Sequence, residues 1–561
     1  MRTFFVLLLV ACTAKADLDS AHRAAGNGEF KKAAELFPAA IAAETNPERR
    51  EDAVVRLAYI EWRGFHDYDA ARARLRKLDT AKAHIELAHL AIHLGDFASA
   101  RAEGKKAMAV ATKKGDRRRA IVTHAAAVAR DPRAGIEELR RTVAALRALI
   151  EETGPRLEPA RLLARAALRA NDGAAALDGI NAYYHVSKFA GPPEGIAAAH
   201  TTLVRILPSW KGTDAERPEL AQALAGVRFF DEAAIVAPDS DVAAYAAMLH
   251  RIELLTNEYY RQIALGNENA NVLRDGVAKE IGNHKDDYAK RFGLYAVAGR
   301  TGKHVDMHMG HIVVDTTLSV EQYGQRGSKR FVVLDSIVSN GFSEWVNDGT
   351  SGDGGWGTAK EIYQVRPRYA DAPLQSWERV TDAELRAEDD RRTAEETARD
   401  VQRAKEKPIQ FFPGLARRLE RQYLESVLTE TRGRDAFLAR IERDEFTSQM
   451  QLHEGRHAID IASGKKYEVW ELEYRAKLSE IALAPAPRQA LASVLDNDIG
   501  GDDTHSKANG KLAAEIGAWM EAHRGEIAGY DAALPPMPQI DKLTDAQIRA
   551  VVRGLDPLAP H

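Results

Sequence analysis

The stretch Gln451-Leu-His-Glu-Gly-Arg-His-Ala-Ile-Asp460 decides how the second half of this chain folds. His453 and His457 are four apart, so on a helix their imidazoles share one face. The pattern H-E-x-x-H on a helix is suited to holding one Zn²⁺ between the two rings. Glu454, one step round, then reaches a water on the same ion as its general base. The flanks support a buried helix. Phe446, Met450 and Leu452 precede the motif in a segment free of Gly and Pro. Ala458, Ile459, Ile461 and Ala462 follow it, and Ser463-Gly464 reads as a helix stop. A His pair on a helix is also an ordinary surface or core feature, so the motif is weighed against the rest of the chain.

A catalytic zinc keeps three protein ligands and one open position. After His457 the candidates are Glu468, Glu471, Glu473 and Glu480. All lie in or beside Val469–Leu483, which has the spacing of an amphipathic helix, with Trp470, Leu472, Ala476, Leu478 and Ile481 able to pack. The two successive helices resemble the gluzincin arrangement of zinc metallopeptidases, in which H-E-x-x-H is followed by a ligand glutamate on the next helix. Glu473-Tyr-Arg-Ala476 fits the form in which a small residue follows the ligand by three. The gap from His457 is short for that arrangement. The resemblance implies a metal set of His453, His457 and Glu473, with Glu480 as the alternative third ligand and one zinc per chain. It also implies a group for the oxyanion of the tetrahedral intermediate. His505, in a polar loop before an apolar helix, is the candidate, and Tyr530, His304 and His308 compete with it. Asp460 is placed to accept a hydrogen bond from a ligand imidazole and fix its tautomer.

Working outward, the texture between 286 and 370 is that of a small sheet. Strands are expected at His311–Val320, Arg330–Val338 and Lys360–Val365, with a turn at Gly324–Ser328. A sheet beside a metal helix offers an edge on which an extended peptide is held in register, and the strands at 311–338 are the expected edge. The glycine-rich stretch Gly349–Gly357 lacks the Gly-Lys-Ser/Thr of a phosphate loop and reads as a rim with Trp356. His304, His308 and His311 form a second cluster. Strand alternation puts the third on the opposite face from the first two, against a three-His metal site.

The first half is helical throughout. Ala and Leu recur at three- and four-residue spacing, broken by Gly-Asp, Asn-Pro and Asp-Pro. Gly28-Glu-Phe-Lys-Lys-Ala33 is matched by Gly95-Asp-Phe-Ala-Ser-Ala100 and, more weakly, by His66–Ala71 and Asn171–Ala176. Phe30, Tyr68, Phe97 and Gly173 hold the same place in each. The segment resembles a degenerate tetratricopeptide array, which implies a concave face able to take a protein partner; a scaffold packed on the second half is the other reading. The basic stretch Lys113–Arg119 reads as a solvated helix start.

The fold class expected is mainly α: a helical-hairpin solenoid, then an α+β zincin-like catalytic domain with a small sheet. The boundaries are 1–16 for a signal peptide, 17–248 for the repeats, 249–285 for a connecting helix, 286–370 for the sheet, 371–410 for a charged helix or linker, and 411–561 for the zinc-binding region. At 561 residues several domains are expected, and a net charge of −4 with balanced signs argues against nucleic acid as a main partner. Arg2 followed by the short apolar run Phe4–Ala11 reads as an export signal. Leu9-Val10-Ala11-Cys12 resembles a bacterial lipobox, which implies lipidation at Cys12 and a membrane anchor. Ala14-Lys15-Ala16 fits ordinary secretion. Both imply a bacterial protein at the periplasm or cell surface. The one cysteine leaves no pair for a disulfide within the chain. The function expected is that of an exported zinc metallopeptidase with a peptide or protein substrate. The alternative is an interaction lipoprotein with an inert metal region.

Overall fold

The computed structural model describes residues 17–187, 194–212, 214–267, 270–292, 294–301, 304–334, 338–339, 345–346, 355–358, 360–406, 412–496, 499, 501 and 504–560. The signal segment with Cys12 and most of the glycine-rich stretch lie outside these residues. So do the side chains of His304, His308, His311 and Trp356, whose backbones are described.

The chain is mainly helical, with one small sheet. From residue 17 to Val236 it forms short helices packed on their neighbours in sequence. The recurring stretch seen in the sequence is one turn used repeatedly. Phe30, Tyr68, Phe97 and Gly173 each begin a helix. Two residues before each, Gly28, His66, Gly95 and Asn171 take positive φ, between 54° and 72°. The side chains of Asp67, Asp96 and Asp172 accept hydrogen bonds from Ala70, Ser99 and Ala175 amides, satisfying orphan donors of the first turn. Ala33, Ala71, Ala100 and Ala176 are fully buried where helices meet. A further copy, Arg228-Phe-Phe-Asp-Glu-Ala233, has the same left-handed residue and the same buried alanine.

Where one connecting helix is expected over 249–285, there are two, Asp241–Ala264 and Ala270–Phe292. They are separated by a turn at Gly266 (φ 72°). Glycine takes that left-handed conformation at little cost, and the polar Asn267 that follows suits a turn better than a helix interior.

The sheet holds β1 (Leu294–Thr301), β2 (His304–Gln322), β3 (Gln325–Leu334), β4 (Val338–Ser339), β5 (Gly355–Gly357) and β6 (Glu361–Val365). Its order is β1-β2-β3-β6-β5, with β4 on β2; only β3 and β6 run parallel. β2 begins seven residues before the expected strand. The β2–β3 turn is two residues, Tyr323-Gly324, both at positive φ, rather than Gly324–Ser328. That primed turn matches the twist of the paired strands. Of the expected edge at 311–338, β3 is covered on both sides, whereas β2 from Val314 to Gln322 pairs only with β3 among the described residues, and β5 is the edge at the other end.

The charged stretch, expected as a helix or a linker, is helical. Helices Arg366–Thr381 and Ala383–Glu406 lie against the N-terminal helices. Arg156 pairs with Glu378 at 3.0 Å, Arg117 with Glu384 at 2.8 Å and Arg391 with Glu48 at 2.9 Å, while Arg403 pairs with Asp19. The basic stretch Lys113–Arg119 therefore faces acidic partners on this helix pair, not water alone. A cavity of about 1480 Å³ remains between the two parts. Among the described residues no helix is long and apolar enough to cross a membrane.

Candidate metal centre

The motif is reached by a continuous helical path. Helix Arg434–Phe446 runs into a π-helical turn, Thr447–His453, and then into the motif helix, Glu454–Ala462. The wider register leaves backbone carbonyls turned outward. Gln322, at the end of β2, donates its amide to two of them, those of Leu452 (2.8 Å) and Gln451 (3.3 Å). The motif helix lies close on the sheet. A Cβ on Gly327 of β3 would stand 2.8 Å from the backbone of Ala458 and Ile459, and one on Gly455 would stand 3.0 Å from Val320. The helix stops at Ser463, followed by Gly464 at φ 70°, as the sequence implies.

Helix Val469–Leu483 then crosses beside it. Glu468 and Glu471 form a capping box at its start, which accounts for two of the four carboxylates that compete for the metal role. Glu473 points between the two imidazoles. Its Oε2 is 3.3 Å from His453 Nε2, and its Oε1 is 3.4 Å from His457 Nε2. The three residues offer ligand atoms all within 4.8 Å of one another. Tetrahedral zinc with bonds of about 2.0 Å spaces neighbouring ligand atoms about 3.3 Å apart. Glu473 Oε2 is buried and lacks an aligned hydrogen bond despite its imidazole neighbours. Two imidazole nitrogens and a carboxylate with an orphaned oxygen form a donor set that fits zinc.

Glu480, seven residues further along the same helix, sits behind the site. Its Oε2 lies 3.0 Å from His453 Nδ1, and Ser448 reaches its other oxygen at 3.4 Å. A carboxylate on Nδ1 leaves Nε2 free to face the site. Burial alone would lower the His453 pKa, but the carboxylates of Glu473 and Glu480 outweigh it and raise the value to about 10. Burial likewise opposes ionisation of Glu473, yet His453, His457 and His505 together hold its carboxyl far below the usual range.

Asp460 does not serve an imidazole. It accepts from Arg456 Nε at 3.1 Å and from Arg475 at 2.9 and 2.7 Å. Arg456, the fourth residue of the motif, is fully buried and bidentate to Asp556 (2.9 Å each), one hundred residues away. Arg456 needs these carboxylates because a buried guanidinium is strongly unfavourable without partners. The imidazole-orienting role expected of Asp460 is thus filled by Glu480.

His505 opens helix Thr504–Ala522, with Nδ1 3.2 Å from Glu473 Oε2 and most of the side chain exposed. It stands next to the candidate ligand carboxylate. Tyr530 is elsewhere, its hydroxyl bonded to Glu521 at 2.9 Å.

Glu454 is mostly buried, and its Oε2 has no hydrogen-bond partner. A Cβ on Gly357 of β5 would stand 2.1 Å from that oxygen, so only a glycine leaves the carboxylate its present position. Lys329 of β3 lies 3.9 Å from the same oxygen. Gln322, Lys329, Ser448, Arg456 and Asp556 are the site's members that sequence reading passes over, and Gly357 is read there only as part of a rim. Only Arg456, a long charged side chain inside a motif helix expected to be buried, carries a signal of its own.

Comparisons with protein-family models, with curated proteins and with solved structures return no match.

Proposed function

We propose that this protein is a zinc-dependent hydrolase of peptide bonds. The observation that carries the reading is the convergence of His453, His457 and Glu473 beside a general-base carboxylate, Glu454, whose buried Oε2 accepts no hydrogen bond. Zinc, when bound, acidifies water and polarises a carbonyl. His453, His457 and Glu473 hold the ion, and Glu480 fixes the His453 ring. Glu454 takes the proton of the attacking water and returns it to the leaving amine. His505, within reach of Glu473, steadies that carboxylate and borders the opening where an oxyanion develops.

A peptide is favoured over other amides because β5 ends the sheet beside Glu454. A substrate strand added there brings its backbone to the general base. The sheet and the two crossing helices support a zincin-like domain, and the recurring left-handed turn supports a tetratricopeptide-like array in front of it. The array's ionic contacts with helices Arg366–Thr381 and Ala383–Glu406 favour a scaffold over the alternative, a partner-binding lipoprotein. Export, with lipidation at Cys12, completes the proposal and rests on the N-terminal sequence.

Metal analysis and turnover test the reading together. The protein is expected to hold one zinc per chain and to lose it in His457→Ala. Glu454→Gln is expected to keep the zinc while peptide hydrolysis falls by about 10²-fold or more. Unchanged hydrolysis in Glu454→Gln, or absence of stoichiometric zinc, defeats it.

A further inference from the structure

Lys329 is an unusual occupant of its position. On β3, Gly327, Lys329, Phe331 and Val333 alternate onto one face. That face packs on the helical path through the motif. Gly327 abuts the backbone of Ala458, and Phe331 meets Phe446 edge to face at 5.8 Å. Lys329, between them, is 5% exposed. An apolar side chain of the same length fits such a place better, since a buried ammonium is unfavourable unless a counter-ion answers it. Among the described residues, the ionic partner of Lys329 is Glu454, at 3.9 Å. Burial pushes the Lys329 ammonium towards its neutral form, and the Glu454 charge opposes this. The interaction runs both ways. Glu454 Oε2 has no hydrogen bond, and Gly357 leaves no room for it to retreat across β5.

We propose that Lys329 is the positioning residue of Glu454, its ammonium fixed under the carboxylate by strand–helix packing so that charge attraction holds the general base in one place. Lys329 does not touch substrate; it acts through Glu454. The assignment of Glu454 as general base rests on the peptidase reading, whereas the pairing itself does not.

Two measurements separate them. In the metal-free full chain, Glu454→Gln strands the buried ammonium and is expected to lower the melting temperature by several degrees. Lys329→Met in the same chain is expected to recover most of that loss. In the zinc-loaded protein, with a fluorogenic peptide library as probe, Lys329→Met is expected to lower kcat by about 10- to 100-fold with KM and zinc content unchanged. Lys329→Arg is expected to restore most of the turnover. Additive effects on melting temperature, or wild-type kcat in Lys329→Met, overturn the proposal. Coupled melting temperatures in a protein that cleaves no peptide remove the peptidase reading and leave Lys329 as the group that positions Glu454.

Discussion

His453 is flanked on both sides by carboxylates, Glu473 at Nε2 and Glu480 at Nδ1, at 3.3 and 3.0 Å. With its pKa raised to about 10, the ring is protonated at neutral pH, and a metal ion must displace that proton. Zinc affinity is therefore expected to rise close to tenfold per unit between about pH 6 and about pH 8, and to level off near pH 10. In the metal-free protein the sign is opposite. Stability from the pairing is full below the ordinary histidine value of about 6.5 and is lost as pH rises through about 10. Chelator competition across that range measures the slope, and a flat affinity contradicts the site described. At this scale the sequence was partly legible. His453, Glu454 and His457 declare themselves because helical spacing alone brings them together. Glu473 and Glu480 do not separate so easily, because both lie on one face of one helix. Which one reaches between His453 and His457 and which backs the His453 ring depends on the height at which two helices cross, and that is a tertiary fact.

The motif helix is held by what lies around it more than by its own nine residues. Its fully buried Arg456 ties it to Asp556, just beyond the C-terminal helix Asp545–Leu555, while Asp460 of the same helix accepts from Arg456 and from Arg475 of the next helix. Arg456→Met leaves these carboxylates buried with fewer partners, and a loss of about 3–5 kcal/mol is expected. Adding Asp556→Asn to Arg456→Met is expected to restore part of it, because the stranded charge is removed. Urea unfolding of the three variants decides; a double variant weaker than Arg456→Met alone counts against the buried charge as the cause. Nothing local announces this pair, since its members are a hundred residues apart. The N-terminal helices were easier to read. Their recurring signal is a left-handed residue, a capping side chain and a small buried residue, all within about one turn. The break at Gly266 and the early start of β2 were missed for the converse reason. Helical spacing continues through the first, and the strand-like face of the second is interrupted by histidines and methionines.

Across the whole molecule, a hydrophobic core and several ion pairs cross the expected domain boundaries. Trp345 and Val346, from the sheet region, share a hydrophobic core with Phe30, Tyr59 and Trp62 and with Tyr259 and Tyr260 of the long helices. Arg156, Lys114 and Arg403 meet Asp371, Asp382 and Asp19 across the line between the two halves. Exposed ion pairs contribute little singly, so the shared aromatic core is the stronger tie. Residues 286–561 expressed alone are expected to be poorly soluble and to lack a cooperative thermal transition. A soluble fragment that unfolds cooperatively and keeps zinc contradicts this.

The π-helical turn has a consequence of another kind. Helix Arg434–Phe446, the turn and the motif helix are one uninterrupted spiral, so the number of residues between Phe446 and His453 sets the compass bearing of both imidazoles. Each residue added or removed rotates everything downstream by about 100° and would aim His453 away from Glu473. The side chains of the turn ahead of His453 are less constrained by the site, apart from the buried Ser448 and Met450 and Gln449, which accepts from Tyr369. The site is thus encoded partly as a count, a feature that tolerates changes of letter and forbids changes of length.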